Sequence, residues 1–204
     1  MHSEGGRDAV SSIDVYRACR ILHGSEGGPS EPVPLTGNSA LRSKLQTHPA
    51  EQLKMLQKIF SWLDDAYDKT PVQSAVLSDP ELPGTVLRLP MIYGPGDHLC
   101  RFHPVLKRIA DRRRVMLFEE GWAQWRAPRG YVENVAAALA LAAVSERAGG
   151  RIYNVAKTPA FSELDCARKI AAAADWGGEF ITLPKERMPA HLMPARQQRA
   201  ALGG

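Results

Sequence analysis

The stretch "GTVLRLPMIYGPGD", Gly84–Asp97, decides the fold class of this chain of 204 residues. It begins as an apolar run that is typical of a buried strand and ends in a turn rich in glycine and proline. A strand of this kind can belong to several architectures. The segments on either side of it therefore determine which architecture the chain adopts.

Upstream of this strand the sequence predicts a short strand, a loop and a helix. The segment "DAVSS", Asp8–Ser12, is typical of the end of a strand. Gly24–Asn38, "GSEGGPSEPVPLTGN", is rich in glycine, proline and serine and predicts an exposed loop. Apolar residues recur at helical spacing through Pro49–Tyr67 and predict a helix. Because Pro71 disfavours helical geometry at the preceding residue, we expect a break there and a new helix with Pro71 in its first turn.

Downstream of the strand, helical and strand patterns alternate. The predicted elements are a helix at His103–Arg113, a strand at Val115–Phe118, an alanine-rich buried helix at Asn134–Arg147, a strand at Arg151–Ala156, a helix opened by "FSELDC" from Phe161, and a last strand, "EFITLP", from Glu179. Ser162 is expected to cap the last helix and Gly177 to end it. The tail after Pro184 is expected to be irregular or weakly helical. The alternation predicts an α/β fold with parallel strands.

The composition is that of an ordinary soluble globular protein, with 44% hydrophobic and 24% charged residues. The formal charge is +4, and its densest cluster, Leu106–Arg114, lacks interleaved aromatic residues and any recognisable nucleic-acid module. We therefore expect no nucleic-acid partner. No apolar run reaches the roughly 18 residues that a membrane span needs, and the first residues lack the apolar core of a secretion signal, so no membrane partner is expected either.

The three cysteines, Cys19, Cys100 and Cys166, are scattered and odd in number, and no two of them have C-x-x-C spacing. This predicts reduced thiols and a cytoplasmic location rather than a disulfide framework. The six histidines show no metal-ligand spacing, so we expect no metal site.

Four segments carry the recognisable motifs of the chain. They are "SSIDVY" from Ser11, "YDKTPVQ" from Tyr67, "LRLPMIYGPGD" from Leu87, and "RGYVENVAAALALA" from Arg129, the last followed by "GRIYNV" from Gly150. In this order, and with the strand or helix predicted for each, they resemble the extended short-chain dehydrogenase/reductase family, the NAD-dependent epimerase/dehydratase group that acts on nucleotide sugars. The resemblance spans residue 8 to about residue 185.

The resemblance implies a Rossmann domain with a smaller carboxyl-terminal substrate domain. Residues 1–98 would form the carboxyl-terminal part of the Rossmann-type domain, with a loop insertion at about 24–48. Residues 99–204 would form a substrate-binding region interleaved with the last Rossmann elements. A Rossmann domain binds the cofactor pyrophosphate with a glycine-rich turn between its first strand and a helix, whereas "HGSEGGP", His23–Pro29, follows no complete strand and opens no helix. We therefore expect a partial Rossmann fold, a parallel sheet with flanking helices, whose dinucleotide-binding half is missing.

The family's chemistry rests on a tyrosine and a lysine four residues apart on one helix face. The phenol is the general acid or base for hydride transfer at a sugar carbon, and the ammonium group helps to lower its pKa. A serine at the end of the adjacent strand completes the proton network, and Ser12 matches its position. Lys69 matches the lysine, and Gln73 stands where the family often has glutamate.

Two residues compete for the tyrosine's position. Asp65 stands four residues before Lys69, where it would form an ion pair worth about 0.3–0.5 kcal/mol on an exposed helix. Tyr67 stands two residues before Lys69, nearly opposite it on a regular helix, although the break at Pro71 could turn it inward. The resemblance thus implies Ser12, Tyr67 and Lys69 as catalytic residues, with a tyrosine packed against the core as the alternative for Tyr67.

The cofactor implied by the resemblance is NAD or NADP. Its nicotinamide end would lie against Lys69 and against the backbone of Leu89, Pro90 and Met91. Because the glycine-rich turn is missing, we expect the chain alone not to bind NAD tightly.

The substrate implied by the resemblance is a nucleotide sugar or a similar small molecule. Tyr93, Arg126 and Arg129 are the candidate substrate-binding residues, because a planar guanidinium grips phosphate with two hydrogen bonds. Trp122 and Trp125 could stack on a base or cover the core.

Three interpretations remain open at this point. The first is an epimerase or dehydratase recorded without its amino-terminal half. The second is a catalytically inactive remnant that binds a sugar nucleotide or a protein partner. The third is a truncated reading frame without a stable fold, since the loss of parallel strands would expose the edge and faces of those that remain. The family's tendency to pair through long helices also suggests a homodimer.

Overall fold

The computed structural model describes residues 8–22, 24–29, 31–44, 50–61, 63–65 and 67–192. Its elements are β1 (Asp8–Ser12), α1 (Arg17–Leu22), α2 (Ala50–Ile59), α3 (Lys69–Leu77), β2 (Thr85–Leu89), β3 (Met91–Tyr93), α4 (His103–Ala110), β4 (Val115–Glu119), α5 (Glu120–Gln124), β5 (Arg129–Tyr131), α6 (Val132–Val144), β6 (Ile152–Asn154), α7 (Glu163–Ala173) and β7 (Glu179–Leu183). Short 3₁₀ turns occupy Ile13–Val15, Glu146–Ala148, Lys185–Arg187 and Ala190–Leu192.

The chain divides into two compact units. Unit 1 comprises Met1–Ile92 and Gly130–Ala156, and unit 2 comprises Tyr93–Arg129 and Lys157–Gly204. Strands β3 and β5 form a two-stranded sheet. The domain boundary near residue 98 stays a prediction.

Unit 1 is built on a three-stranded parallel sheet in the order β1-β2-β6. Residue Val10 of β1 lies opposite Leu87, and Val86 of β2 lies opposite Ile152. All five residues of the central strand β2 are buried, as an apolar strand between two parallel neighbours requires. The parallel α/β architecture, with helices beside the strands, is therefore confirmed.

The two faces of this sheet differ in chemistry because successive side chains of a strand point to opposite sides. Leu87 and Leu89 pack with Val135 of α6 in an apolar core. Arg88 lies between them in the sequence and its guanidinium bonds to Gln73 of α3 instead. One face of β2 is thus an ordinary apolar core, and the other holds a buried polar contact.

Unit 2 contains a second parallel pair, β4 with β7, in which Val115 lies opposite Glu179 and Glu119 opposite Leu183. The ring of Phe180 packs edge-on against Phe118 and Trp176, with centroid distances of 6.0 and 5.0 Å. Helices α4 and α5 both pack against α7. These contacts give unit 2 its own aromatic and helical packing.

Several sequence predictions are confirmed. Pro71 lies in the first turn of α3, and Ser162 caps α7 by accepting a hydrogen bond from the Asp165 N–H at 3.0 Å. The described parts of Gly24–Asn38 contain no helix or strand. The predicted features at 45–48 and beyond 192 lie outside the described residues. None of the helices in the described part of the chain has the length and apolarity that a bilayer crossing demands.

Two predictions about helices are wrong. The helix predicted over Pro49–Tyr67 ends at Ile59, so it does not reach the tyrosine. The alanine-rich helix α6 is not a buried one: Val135 is its buried residue, whereas Leu141 and Val144 are 67% and 81% exposed. The alanine-rich composition of α6 predicted burial on all its sides, but only one side packs on the sheet.

Candidate active site

Two serines at the end of β1 have different environments. The buried Ser11 accepts a hydrogen bond from Gln73 Nε2 at 2.5 Å. Ser12 is half-buried, and its Oγ accepts the Asp14 N–H at 3.2 Å, which caps the 3₁₀ turn that follows. Ligands of open α/β sheets bind beyond the carboxyl ends of the strands. Ser12 therefore stands where such a site is expected, while Ser11 belongs to the interior.

Lys69 is the first residue of α3, and the side chain of Asp68 fixes that start. Asp68 Oδ1 accepts the Thr70 N–H at 2.7 Å, which is a helix N-cap, and Asp68 Oδ2 accepts from Arg42 Nη2 at 2.5 Å. Both partners of this ion pair are almost fully buried. An aspartate at the N-cap with Pro71 in the first turn explains why the helix begins here.

Arg42 also ties α3 to the end of β1. Its Nη1 lies 3.3 Å from the carbonyl oxygen and 3.4 Å from Oδ2 of Asp14. Asp14 Oδ1 accepts a second guanidinium bond from Arg20 at 2.8 Å. We refer to Asp14, Arg20, Arg42, Asp68 and Lys69 as the charge cluster. Through Arg42, this cluster connects the turn after Ser12 with the N-terminus of α3.

The charge cluster changes the acidity of Lys69. Burial lowers the pKa of the Lys69 ammonium from its ordinary 10.5; the attraction of Asp14 opposes this shift, Arg42 adds to it, and Asp68 opposes it. The net direction is downward because desolvation outweighs the two carboxylates. Lys69 therefore loses its proton more readily than an exposed lysine.

The segment that carries Tyr67 is not helical. Tyr67 lies between the end of α2 and the start of α3, with its N–H on the Asp64 carbonyl at 3.4 Å and its side chain 37% exposed. Asp65 accepts a hydrogen bond from Gln57 Nε2 at 2.9 Å. Neither residue shares a helix with Lys69, so the predicted helical spacing of Asp65 to Lys69 is wrong. Aspartates near a helix end favour turns, and Asp68 here begins the next helix.

A buried network that reaches Ser11 through Gln73 was not foreseen from the sequence. Arg88 is 2% exposed, and its Nε and Nη2 both donate to Gln73 Oε1, at 3.0 and 2.8 Å. Its Nη1 donates to the Gly37 carbonyl at 2.9 Å, and its Cζ lies 4.7 Å from the centroid of the Tyr16 ring. The available signal was a single arginine within an otherwise apolar strand. This network anchors the loop before α2 on the sheet.

The three residues predicted to line the nicotinamide end of a cofactor lie at the end of β2. Leu89 and Pro90 are buried and Met91 is half-buried. The backbone here is close to β5, because a Cβ on Gly130 would come within 2.6 Å of Val135 and 3.5 Å of the Pro90 ring. Only glycine fits at residue 130. The side chain of Leu89 belongs to the core, which leaves its backbone as the part that a ligand could reach.

The two candidate substrate arginines of unit 2 have different environments. Arg129 is buried: it forms an ion pair with Glu163, donates to Cys166 Sγ at 3.1 Å and stacks 5.6 Å from the Phe102 ring. Arg126 is exposed, and its Nη1 donates to the Ala160 carbonyl at 2.8 Å. Arg126 is therefore the more accessible of the two for a ligand phosphate.

Tyr93 packs edge-on against Phe102, with the ring centroids 5.1 Å apart. The same phenylalanine faces the guanidinium of Arg129. Phe102 thus joins two of the predicted substrate residues on one apolar ring. Their roles in substrate binding stay predictions.

Comparison with known proteins confirms the resemblance over part of the chain. Residues 70–156 match the model of the NAD dependent epimerase/dehydratase family. This segment contains most of α3, all of β2 and the element pair α6 and β6. No curated protein sequence matches the chain.

Solved structures share the fold at low sequence identity. An epimerase from Methanothermobacter thermautotrophicus has a TM-score of 0.54 at 14% identity, over 87% of this chain and 46% of its own. The dTDP-glucose 4,6-dehydratase of Bacillus anthracis, solved with NAD, has a TM-score of 0.53 at 15% identity, over 98% of this chain and 56% of its own. The UDP-glucuronic acid 4-epimerase of Bacillus cereus, solved with UDP-glucuronic acid and NAD, has a TM-score of 0.53 at 14% identity, over 87% and 48%. The chain spans about half the length of these structures, and the likeness shows a partial Rossmann fold.

Proposed function

We propose that this chain carries the catalytic-lysine helix and the substrate-side region of an NAD(P)-dependent nucleotide-sugar epimerase or dehydratase. The observation that carries the proposal is the placement of Lys69. Lys69 begins α3, and the carboxylate of Asp14, two residues beyond Ser12, acts on its charge, which supports a proton network at the carboxyl end of β1. The family match over residues 70–156 begins directly after Lys69 and supports the family resemblance of the rest of α3.

In this mechanism the chain's own residues hold and move a proton. The Tyr67 phenol would take the proton of a sugar hydroxyl, the Lys69 ammonium would favour the phenolate by its charge, and the Ser12 hydroxyl would donate to the same oxygen. Tyr67 lies outside the helix of Lys69, so helical geometry does not set the position of its phenol relative to Lys69. Bound NAD or NADP would supply the hydride acceptor.

The described residues fit one end of such a cofactor. Lys69 and the backbone of Leu89–Met91 would hold the nicotinamide end. Within the described ranges no strand is followed directly by a glycine-rich turn that opens a helix, so the pyrophosphate has no cradle on these residues. We therefore propose that this chain alone binds NAD more weakly than micromolar, which isothermal titration calorimetry on the purified chain measures. A micromolar dissociation constant would overturn this part of the proposal.

Turnover tests the catalytic assignment. With NAD in large excess and UDP-glucose as the trial substrate, product sugar nucleotides are measured by chromatography. We expect Tyr67→Phe and Lys69→Met each to reduce turnover by about 100-fold or more, because a positioned acid or base contributes that much. Lys58→Met, on the exposed side of α2, is the matched control and should leave turnover unchanged. Full turnover in Tyr67→Phe would rule out the phenol.

The alternative is a non-catalytic remnant that binds a sugar nucleotide or a protein partner. The observation that favours it is the position of Tyr67 outside the helix of Lys69. Under this alternative, UDP-glucose binds without turnover and with the same affinity in Tyr67→Phe. The homodimer also stays a prediction, which light scattering on the purified chain tests.

A further inference from the structure

Unit 2 contains an open cleft of about 530 Å³. Its floor is formed by Ala123 and Ser162, which are buried, together with the half-buried Leu164. Its polar walls come from the side chains of Glu120, Gln124, Arg126, Asp165, Arg168 and Thr182. A volume of this size lies within the range of small-molecule sites.

The frame of the cleft is fixed by backbone contacts. Glu119 caps α5 through bonds from the N–H groups of Gly121 and Trp122, at 2.9 and 2.8 Å. The Trp125 carbonyl, at the end of the same helix, accepts the Glu163 N–H at 2.9 Å, where α7 begins. The walls from α5 and α7 are therefore held at a set separation.

The polar side chains of the cleft make few bonds to the protein. Within the described residues, the structure shows no side-chain hydrogen bond for Glu120, Gln124 or Thr182. Arg168 has one ion pair, to Asp165 at 3.7 Å. Their donors and acceptors therefore remain available to a ligand.

The charges of the cleft balance. Two guanidinium groups, Arg126 and Arg168, face two carboxylates, Glu120 and Asp165. The pKa of Asp165 is held below its usual value, chiefly by the hydrogen bond from the Ser162 hydroxyl, with smaller contributions from the two arginines. Asp165 is thus an anion at neutral pH, and an anionic ligand would compete with it for both guanidinium groups.

We propose that this cleft binds an uncharged polyhydroxylated molecule of the monosaccharide class. Carboxylate, amide and guanidinium groups are planar and present paired acceptors or donors, which match two neighbouring hydroxyls. The floor of Ala123 and Leu164 offers apolar contact to the C–H groups of a sugar ring. The site needs neither a phosphate nor a dinucleotide, so the proposal goes beyond the proposed function, with which it shares the candidate substrate residue Arg126.

The test is a titration of the full chain, labelled with ¹⁵N, with D-glucose, D-galactose and D-mannose, followed by NMR. At least one hexose should shift the amides of α5 and of the first turn of α7, with a dissociation constant on the order of 1–10 mM for a ligand this small. The methyl glycosides of the three hexoses distinguish a free monosaccharide from the terminal sugar of a glycan as the natural ligand. A site for the end of a glycan accepts them, and a site for free sugar does not.

Three variants assign the binding to the cleft. Glu120→Gln and Asp165→Asn should each weaken the best hexose about 10-fold, while Glu186→Gln, an exposed glutamate of the same unit, should leave its affinity unchanged. The dispersed amide spectrum of each variant shows that it is folded.

Two charged probes, glucose 1-phosphate and inorganic phosphate, test whether the cleft prefers an anionic ligand instead. We expect neither to bind more tightly than the hexose. The proposal is overturned if no hexose shifts the cleft amides, if both carboxylate variants bind as the parent does, or if either phosphate binds more tightly. Tighter phosphate binding that Arg126→Ala abolishes would instead support Arg126 in the proposed function.

Discussion

The charge cluster of unit 1 and the cleft of unit 2 use the same residue types in different surroundings. In the charge cluster the side chains of Arg42 and Asp68 are 3% and 4% exposed and bond to each other, whereas Arg168 and Asp165 in the cleft are 58% and 41% exposed. Breaking a buried ion pair leaves a charge without water or partner, but an exposed pair contributes little. Arginine and aspartate thus fix geometry in one unit and stay open to ligands in the other.

Removing Asp68 should give the largest effect. Asp68→Ala leaves Arg42 buried without its partner and removes the N-cap of α3, so we expect the free energy of unfolding to fall by about 3–5 kcal/mol. Asp68→Asn keeps a capping oxygen and should lose about 1 kcal/mol less. Urea unfolding measures both, with the exposed Asp8→Ala as a control that should stay within about 0.5 kcal/mol of the parent. Equal stability of Asp68→Ala and Asp8→Ala would contradict the structural role of the buried ion pair between Arg42 and Asp68.

Arg88 tests the other buried contact of unit 1. Arg88→Met removes its bonds to Gln73 and Gly37 and leaves the Gln73 Oε1 unpaired, so we expect a loss of about 3 kcal/mol in the same unfolding assay. Adding Gln73→Leu should recover part of this loss, because fewer polar groups then stay unpaired. The exposed Arg151→Met is the matched control. If the two losses of unfolding free energy simply add in the double variant, Arg88 and Gln73 are not energetically coupled, and the proposed network is refuted.

Substitution of the two candidate substrate arginines of unit 2 should change the stability of the chain by different amounts. Arg129→Ala breaks the bonds to Glu163 and Cys166 and should lower the free energy of unfolding by about 2 kcal/mol. Arg126→Ala, on the exposed side, should change it by less than about 0.5 kcal/mol. Thermal or urea unfolding of the two variants side by side checks the difference. A larger loss of unfolding free energy in Arg126→Ala than in Arg129→Ala would contradict the structural role given to Arg129.

The smallest effect concerns Lys69 and its pH dependence. Because the folded chain holds the pKa of Lys69 below the ordinary 10.5, the unfolded chain binds more protons between the two pKa values, and stability rises with pH through that window. At neutral pH, Lys69→Met should therefore be more stable than the parent, by at most about 1 kcal/mol. This advantage should shrink in alkaline solution.

Unfolding curves at neutral and alkaline pH measure the change, with Lys58→Met as the control that shows no such trend. An advantage for Lys69→Met that grows with pH would mean that the pKa of Lys69 is raised, not lowered.

Much of the fold followed from local patterns. The strand at Thr85–Leu89 is apolar in sequence and buried in the structure, and Ser162 was identified as an N-cap from its spacing to Asp165. Both are decided by residues within a few positions of each other. The end of α2 was misjudged because the apolar spacing continues through Phe60 and Leu63, although the helix stops at Ile59.

The candidate site could be predicted only in part. Lys69 and Ser12 were found through motifs. The buried arginines near them were not: Arg42, which bonds to Asp68, lies in a loop, and Arg88, which bonds to Gln73, lies in an apolar strand without any local pattern. Such partners are separated by tens of residues in the sequence. Pairing over that distance depends on how loop and sheet pack, which no local spacing encodes.

The sequence by itself determined the α/β class, the parallel strands and the segments that resemble the epimerase/dehydratase family, because periodicity and motifs are local. Only the tertiary structure decided that Tyr67 lies outside the helix of Lys69, that Arg129 is buried and Arg126 exposed, and that a charge-balanced cleft forms in unit 2. The physical reason is burial. The same guanidinium or carboxylate stabilises the fold or remains open to a ligand according to the water and the partners that packing leaves around it.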